Sequence, residues 1–317
     1  MTVGARVAVT GGRGFIGARL ARRLSAAGAQ PLVIDVADEL GGQQPWEAGY
    51  AREDVRDAIA IAEVLEGFRP DTVFHLAAMH YIPDCERWPD ACVDVNVKGT
   101  RAVMRACAAA GVPRVVVASS AAVYEPSEQP HTIDSPAVPT DVYGHTKLFA
   151  EHLARTHARD TGASVGIARL FNVVGPDDRN PHLLPSLAAQ ALDGDVVTAG
   201  DLGTARDYVY VDDVCAALVG LAGLEHPGTA VTVNVGSEVG TTGTALLDLV
   251  REATGKPLPV VTDADRLRPS DRPVLVSDCT QTRELLGWRA STGLPAAVGE
   301  VLRRPRLPAQ RIGALAW

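Results

Sequence analysis

No stretch of the chain approaches the roughly 20 consecutive apolar residues that a membrane-crossing helix needs, so the sequence offers no such span. The N-terminus has no charged segment followed by an apolar core and a cleavage site. It runs directly into strand-like residues, and a cytoplasmic protein is the expectation. Cysteine is sparse and scattered: Cys85, Cys92, Cys107, Cys215 and Cys279 are odd in number and form no CxxC pair or metal-type cluster. A disulfide scaffold and a cysteine metal site are thereby disfavoured, and a reducing compartment fits. An excess of basic charge is missing as well. The 30 Lys and Arg residues face 38 Asp and Glu residues, a net charge of −8, which argues against nucleic acid or an anionic membrane as partner. The Arg303, Arg304, Arg306 run is a local exception and reads as a solvated C-terminal tail. Internal repeats and low-complexity tracts are also absent.

What remains is an ordinary globular composition, with 46% hydrophobic and 21% charged residues over 317 positions. That length can bury a substantial core. In the first half, short β-branched runs alternate with helical patterns, the signature of a parallel sheet wrapped by helices. Arg6 to Thr10 reads as a strand, Phe15 to Ala27 as a helix closed by Gly28, and Leu32 to Ile34 as a second strand with Asp35 at its tip. Further strands are expected at Thr72 to Leu76, Val115 to Ser119 and Val165 to Leu170, with long helices at Ala91 to Ala110 and Asp141 to Thr161. The rhythm breaks from about Gly175, where Pro176, Pro181 and Pro185 mark loops. The remaining strand-like pieces are Val196 to Thr198, Val231 to Val235 and Pro259 to Thr262. The expected fold is α/β: a Rossmann-type, doubly wound parallel sheet with a smaller, partly interleaved C-terminal lobe for substrate. Residues 1–174, with 207–235 returning to them, would form the first domain and 175–317 mainly the second.

Thr10-Gly11-Gly12-Arg13-Gly14-Phe15-Ile16-Gly17 sits between the first strand and the first helix. Small residues there permit a tight turn, close approach of backbone to a pyrophosphate, and packing of helix on strand. The helix N-terminus adds free N–H groups and the positive end of its dipole. A lone glycine pattern is weak, since many turns need glycine for backbone reasons. Asp35 strengthens it, lying where a carboxylate would accept from ribose hydroxyls and repel a 2′-phosphate. NAD is therefore expected over NADP. Two other readings stay open: Asp35 as a turn cap, and Arg13 as a partner for a 2′-phosphate.

Tyr143-Gly144-His145-Thr146-Lys147 places Tyr and Lys one helical turn apart on one face. A free phenol, with a pKa near 10, is a poor base at neutral pH. Lowering it by about three units takes about 4 kcal/mol of preferential phenolate stabilisation. One cation about 4 Å away supplies roughly that at an effective dielectric of 20. Lys147, helped by an oxidised nicotinamide ring, would make Tyr143 an acid/base. Ser119 and Ser120 close the strand that begins at Val115, and active-site groups in open α/β sheets gather at such strand ends. Read singly, a surface Tyr, a solvated Lys and capping serines would satisfy these patterns; together, downstream of the glycine loop, they point to one pocket.

At this point the sequence resembles the extended short-chain dehydrogenase/reductase family, in particular its nucleotide-sugar epimerases and dehydratases. The resemblance covers nearly the whole chain. It is carried by TGGRGFIG from Thr10, Asp54-Val55, HLAA from His75, VNVKGT around Asn96, SSAAVY from Ser119, YGHTK from Tyr143, RLFNVVGP from Arg169, RDYVYVDDV from Arg206, LRPSD from Leu267 and ELLGW from Glu284. It implies that Gly11, Gly14, Phe15, Ile16 and Gly17 hold the pyrophosphate of NAD and Asp35 its adenosine ribose. Asp54 and Val55 would border the adenine, Leu76, Ala77 and Ala78 would line the cofactor's path, and Asn96 would lie near the nicotinamide. Ser120, Tyr143 and Lys147 become the catalytic residues, with Tyr143 and Lys147 also touching NAD. For a nucleotide-sugar substrate, Asn172, Arg206 and Arg268 would hold the diphosphate, Asp271 the ribose, and Leu183, Val197 and Ala199 the base. Arginine suits this because its planar fork binds phosphate bidentately. Each of these could instead serve locally, Asn96 as a plain helix residue and Arg206-Asp207 as a surface charge pair.

The resemblance also bears on the reaction. The family's 4,6-dehydratases carry Asp-Glu immediately after the catalytic hydroxyl; this chain has Ala121 and Ala122. Alanine moves no proton, which leaves Tyr143 as the evident carrier and points to NAD-dependent epimerisation at C4, of a UDP-linked hexose or uronic acid. His80, in the unusual loop Met79 to Cys85, would contact substrate, and Glu125 stands where family members have Gly. If His80, Cys85 or Glu125 moves protons, a dehydratase or keto-sugar reductase becomes the alternative. A non-catalytic NAD sensor is disfavoured by the intact Ser120, Tyr143 and Lys147. The helices Ala91 to Ala110 and Asp141 to Thr161 resemble the pair through which family members dimerise, so a homodimer is expected.

Overall fold

The computed structural model describes residues 4–37, 43–263 and 272–304. Arg268, Asp271 and Arg306 of the sequence reading lie outside them.

The chain opens as β1 (Arg6–Thr10), α1 (Phe15–Ala26), β2 (Gln30–Ile34), β3 (Gly49–Ala51), α2 (Ala58–Phe68) and β4 (Thr72–His75). Then come α3 (Ile82–Arg87), α4 (Pro89–Val93), a π-helical stretch Asp94–Gly99 and α5 (Thr100–Ala109), followed by β5 (Arg114–Ser120), α6 (Val142–Thr161) and β6 (Ser164–Leu170). The second half holds β7 (Asn172–Val174), α7 (Leu183–Asp193), β8 (Val197–Ala199), β9 (Ala205–Tyr210), α8 (Val211–Ala222) and β10 (Ala230–Val235). It ends with β11 (Gly240–Thr242), α9 (Gly243–Thr254), β12 (Val260–Thr262), β13 (Val274–Leu275), α10 (Thr280–Leu286) and α11 (Leu294–Arg303).

Seven strands form one sheet in the order β10-β6-β5-β4-β1-β2-β3, every pair of them parallel. Parallel strands need crossover helices, which cover both faces, so both faces of each strand are apolar. The registers bear this out. Val7 and Val9 pack into the hydrophobic cluster on one face, with Val116 and Leu170, while Ala8 faces the other with Val73, Val115 and Ile167. Chain order reverses between β1 and β4, and a ligand crevice opens at the carboxyl ends of strands at such a point.

A second, four-stranded sheet centres on β9, which pairs with β11, β13 and β7, while β8 and β12 pair separately. Asp207–Tyr210 thus belong to the smaller sheet, and the chain re-enters the large one through α8 and β10, which lies beside β6. The two halves share a core: Val7 and Phe74 fall in the same cluster as Val250 and Val298.

Local chemistry explains the boundaries. Asp141 caps α6 by accepting from Gly144 N at 2.7 Å, and Gly162, at φ +79°, ends it in the left-handed conformation. The expected helix Ala91 to Ala110 starts at Pro89 and carries the π-helical insertion, a wide turn that local periodicity does not reveal. Arg303 is no tail residue: it sits in the last turn of α11, where a cation suits the helix dipole.

Candidate active site

A cleft of about 1420 Å³ runs across the carboxyl ends of β1, β2, β4, β5 and β6. It exceeds the range of about 300–1,000 Å³ usual for one small ligand. Its walls bring together the glycine loop, Asp35, Asp54, Val55, Leu76, Ala77, Ala78, His80, Ser120, Tyr143, Lys147, Asn172, Leu183, Ala199 and Arg206. Asn96 and Val197 are not among them.

The glycine loop is built for close approach. Gly11 has φ +67°, and a Cβ there would lie 2.7 Å from the Ala77 amide nitrogen; one on Gly17 would lie 2.0 Å from the Gly11 carbonyl oxygen. Gly14 caps α1 in extended conformation without a side-chain hydrogen bond to the helix, so the helix start presents backbone donors. Asp35 is fixed by Arg13 N at 2.9 Å and Ala37 N at 3.0 Å. The Arg13 guanidinium lies 3.4 Å over the Tyr50 ring and pairs with Glu47 at 3.2 Å, its side chain only 2% exposed. It is committed there, so the reading of Arg13 as a 2′-phosphate partner loses its support. A Cβ-free cradle, a helix N-terminus and an acidic strand tip fit the pyrophosphate and unphosphorylated ribose of NAD.

Further along, β5 delivers Ser120, whose Oγ accepts from Ala122 N at 3.1 Å across the turn Ala121–Val123. α6 delivers Tyr143 and Lys147, both buried. Burial pushes the Tyr143 phenol above its usual range, against a lowering hydrogen bond with Ser120. Burial also pulls Lys147 down to about 8, opposed by the Glu151 carboxylate one turn further along α6. The Lys147 ammonium lies 6.0 Å from the centre of the Tyr143 ring. That is farther than the roughly 4 Å at which a cation would win over the phenol; here desolvation wins, and Tyr143 is neutral. Glu151 is fully buried and accepts from Ser119 Oγ at 2.6 Å and from Arg169 Nε and Nη2 at 2.8 Å each. Burial pushes its carboxyl up, but Arg169 and Ser119 outweigh this and hold it low.

Asn96 turns away from the cleft. It is 1% exposed, its Oδ1 accepts from Met79 N at 2.8 Å, and its Nδ2 donates to Met79 O and Thr146 Oγ1 at 2.9 Å. Its amide ties the loop after β4 to α6, and the π-helical turn is what presents it there. Val197 is a core residue with no exposure; Thr198 and Ala199, further along β8, line the cleft instead. Asp207 overturns the surface-pair reading. It is fully buried and accepts from Ser237 N, Ser237 Oγ, Glu238 N and Ser277 N. Arg206 points the other way, into the cleft wall, and donates to the Arg272 carbonyl at 2.8 Å.

In the loop after β4, His80 Nε2 accepts from Asn180 at 2.9 Å. Cys85 is buried, its thiol 3.5 Å from the Met79 carbonyl, and Glu125 is exposed; neither lines the cleft. Sequence reasoning missed other cleft residues. Asp178, nearly buried, accepts from His182 Nδ1 at 2.8 Å, and Arg272 reaches the turn after Ser120. No spacing rule marks either; the only hint for Arg272 is its place directly after Asp271.

The model of the NAD dependent epimerase/dehydratase family matches residues 7–236. A UDP-glucose 4-epimerase from Streptomyces lividans is 32% identical over 311 residues, covering 92% of this chain and 93% of that protein. Among solved structures, MoeE5 in complex with UDP-glucose and NAD has a TM-score of 0.85 at 31% identity, over 94% of this chain and 97% of that one. The NAD dependent NDP-hexosamine 5,6-dehydratase TunA has a TM-score of 0.83 at 30% identity, over 94% and 97%.

Proposed function

The chain belongs to the NAD dependent epimerase/dehydratase family, and on that premise we propose that it interconverts the C4 epimers of a UDP-linked hexose or uronic acid through a transient 4-keto sugar. The observation that carries the reading is the turn after Ser120. Ala121 and Ala122 offer only methyl groups and backbone there, so Tyr143 is the proton carrier beside the catalytic hydroxyl.

NAD, held by the cradle of Gly11, Gly14 and Gly17 and by Asp35, would supply the acceptor and donor of the C4 hydride, and its positive ring would add to Lys147 in favouring the phenolate. The phenol first releases its proton to solvent, and the Tyr143 phenolate then accepts the proton of the sugar 4-hydroxyl. Ser120 hydrogen-bonds that oxygen, and Lys147 supplies the positive charge that stabilises the phenolate before the transfer and after the proton is returned. Asn172 and Arg206, with Arg268 and Asp271, keep the nucleotide anchored while the ketone turns; Leu183 and Ala199 flank the base. Tyr143 finally returns the proton. The cycle consumes no reductant, so NAD stays with the protein.

The division of labour between residues 1–174 (with 207–235) and 175–317 belongs to the same proposal. So does a homodimer through the α4–α5 segment and α6, supported by the exposed Phe149 and Val93. A cytoplasmic location rests on the chemistry of the substrate. Among the described residues, no helix is long and apolar enough to cross a membrane.

A second reading, dehydration of the 4-keto sugar, is favoured by one observation: the Asp178–His182 pair on the cleft wall is a proton carrier that the alanines are not. One experiment separates them. Purified protein is incubated with UDP-glucose, UDP-glucuronate and their N-acetyl relatives, and products are read by mass and NMR. Epimers of unchanged mass, formed without added NADH, are expected. Loss of water would favour the second reading, and no conversion of any of these sugars would refute both.

A further inference from the structure

Arg272 stands at the head of β13, which runs parallel to β9 with Leu275 opposite Arg206. Its carbonyl accepts from Arg206 at 2.8 Å, so its backbone belongs to the arm that would hold the nucleotide diphosphate. Its side chain goes elsewhere. The buried guanidinium crosses to the large lobe and donates from Nη2 to the Ala122 carbonyl at 3.0 Å and to Thr140 Oγ1 at 3.2 Å. Nη1 lies 3.4 Å from the Ala121 carbonyl.

Those contacts fall on both catalytic elements. Ala121 and Ala122 form the turn that Ser120 opens, and Thr140 directly precedes Asp141, the cap of the helix bearing Tyr143 and Lys147. The same Ala122 carbonyl also lies close against that helix: a Cβ on Gly144 would come within 2.4 Å of it. Only a planar, forked donor spans two carbonyls and a hydroxyl at once; a lysine ammonium lacks the fork.

We propose that Arg272 is a positioning residue that couples the grip on the nucleotide to the placement of Ser120 against Tyr143. The inference rests on the epimerase reading above. Substrate held through Arg206 draws on the β9–β13 pair, and the Arg272 fork carries that constraint to the catalytic turn.

Arg272→Met and Arg272→Lys in the full chain test this, with the wild type assayed first on the substrate panel. Both variants are expected to lose about 10–100-fold in kcat, the scale of a misplaced catalytic group. Bound NAD and the dissociation constant of UDP, by calorimetry, should stay within about threefold, the scale of a near-neutral contact change. Lys should be the milder change. Unchanged kcat, or kcat and UDP affinity falling by the same factor, overturns the proposal. If the Met variant fails to fold, the Lys variant decides by the same criteria. A wild type that epimerises nothing fails the underlying reading, and the coupling falls with it; an active wild type with an indifferent Arg272 fails the coupling alone.

Discussion

Replacing Lys147 by methionine should make the cofactor-free protein more stable while removing its activity. The folded protein lowers the Lys147 pKa from its usual 10.5 to about 8, chiefly by burial, and the nearby Glu151 carboxylate pairs with Arg155 and Arg169 rather than with Lys147. A shift of that size corresponds to about 3 kcal/mol at 1.36 kcal/mol per unit. Its sign follows from linkage. Between pH 8 and 10.5 the unfolded chain binds the proton that the folded protein has released, so stability rises with pH across that window. Below pH 8 both states are charged and the cost is present in full. Methionine keeps most of the side chain's volume and nothing to ionise. The variant should therefore gain up to about 3 kcal/mol near neutral pH, the gap narrowing above pH 8 and closing near 10.5. Urea denaturation of both proteins at matched pH values reads this directly, because the other titrating groups are common to both. Activity should fall by at least about a hundredfold. A methionine variant that is less stable at neutral pH, or a gap that ignores pH, would refute the reasoning.

The other expectations follow from the cofactor end and from the sheet. Gly17→Ala, whose Cβ would meet the Gly11 carbonyl at 2.0 Å, should yield folded protein that purifies without NAD, as its absorbance and released nucleotide would report. NADP should bind at least about a hundredfold more weakly than NAD by calorimetry, because Asp35 opposes a 2′-phosphate and Arg13 is engaged with Glu47 and Tyr50. Equal affinities would refute that assignment. His75 is held neutral by burial, down to about 3 against a usual 6.5, while it bonds Thr10 and Thr100. Its unfolded form binds the extra proton in that interval, so its contribution is complete above pH 6.5 and is lost as pH falls toward 3. His75→Gln should flatten the acid limb of stability by an amount on the order of 5 kcal/mol, measured by denaturation across that range. An unchanged acid limb would count against it.

Sequence by itself determined those features whose cause is local. The strand–glycine–helix passage at Thr10 to Gly17, the acid at the tip of β2, and Tyr143 and Lys147 one turn apart are each encoded within a few residues. Alternating apolar runs then implied that these strand ends share an edge. What depends on a distant partner was not legible. Asn96 and Arg206 look alike as polar residues in matching motifs, yet Asn96 spends its amide on Met79 and Thr146 while Arg206 lines the cleft. Asp207 disappears into the core because Ser237 and Ser277, far along the chain, come to meet it. The lowered pKa of Lys147 and the neutrality of Tyr143 come from burial, a property of the packed molecule. Tertiary structure alone brought Arg272 from the second lobe onto the turn that follows Ser120, because a hydrogen bond between residues 150 apart in sequence leaves no periodic trace in either segment.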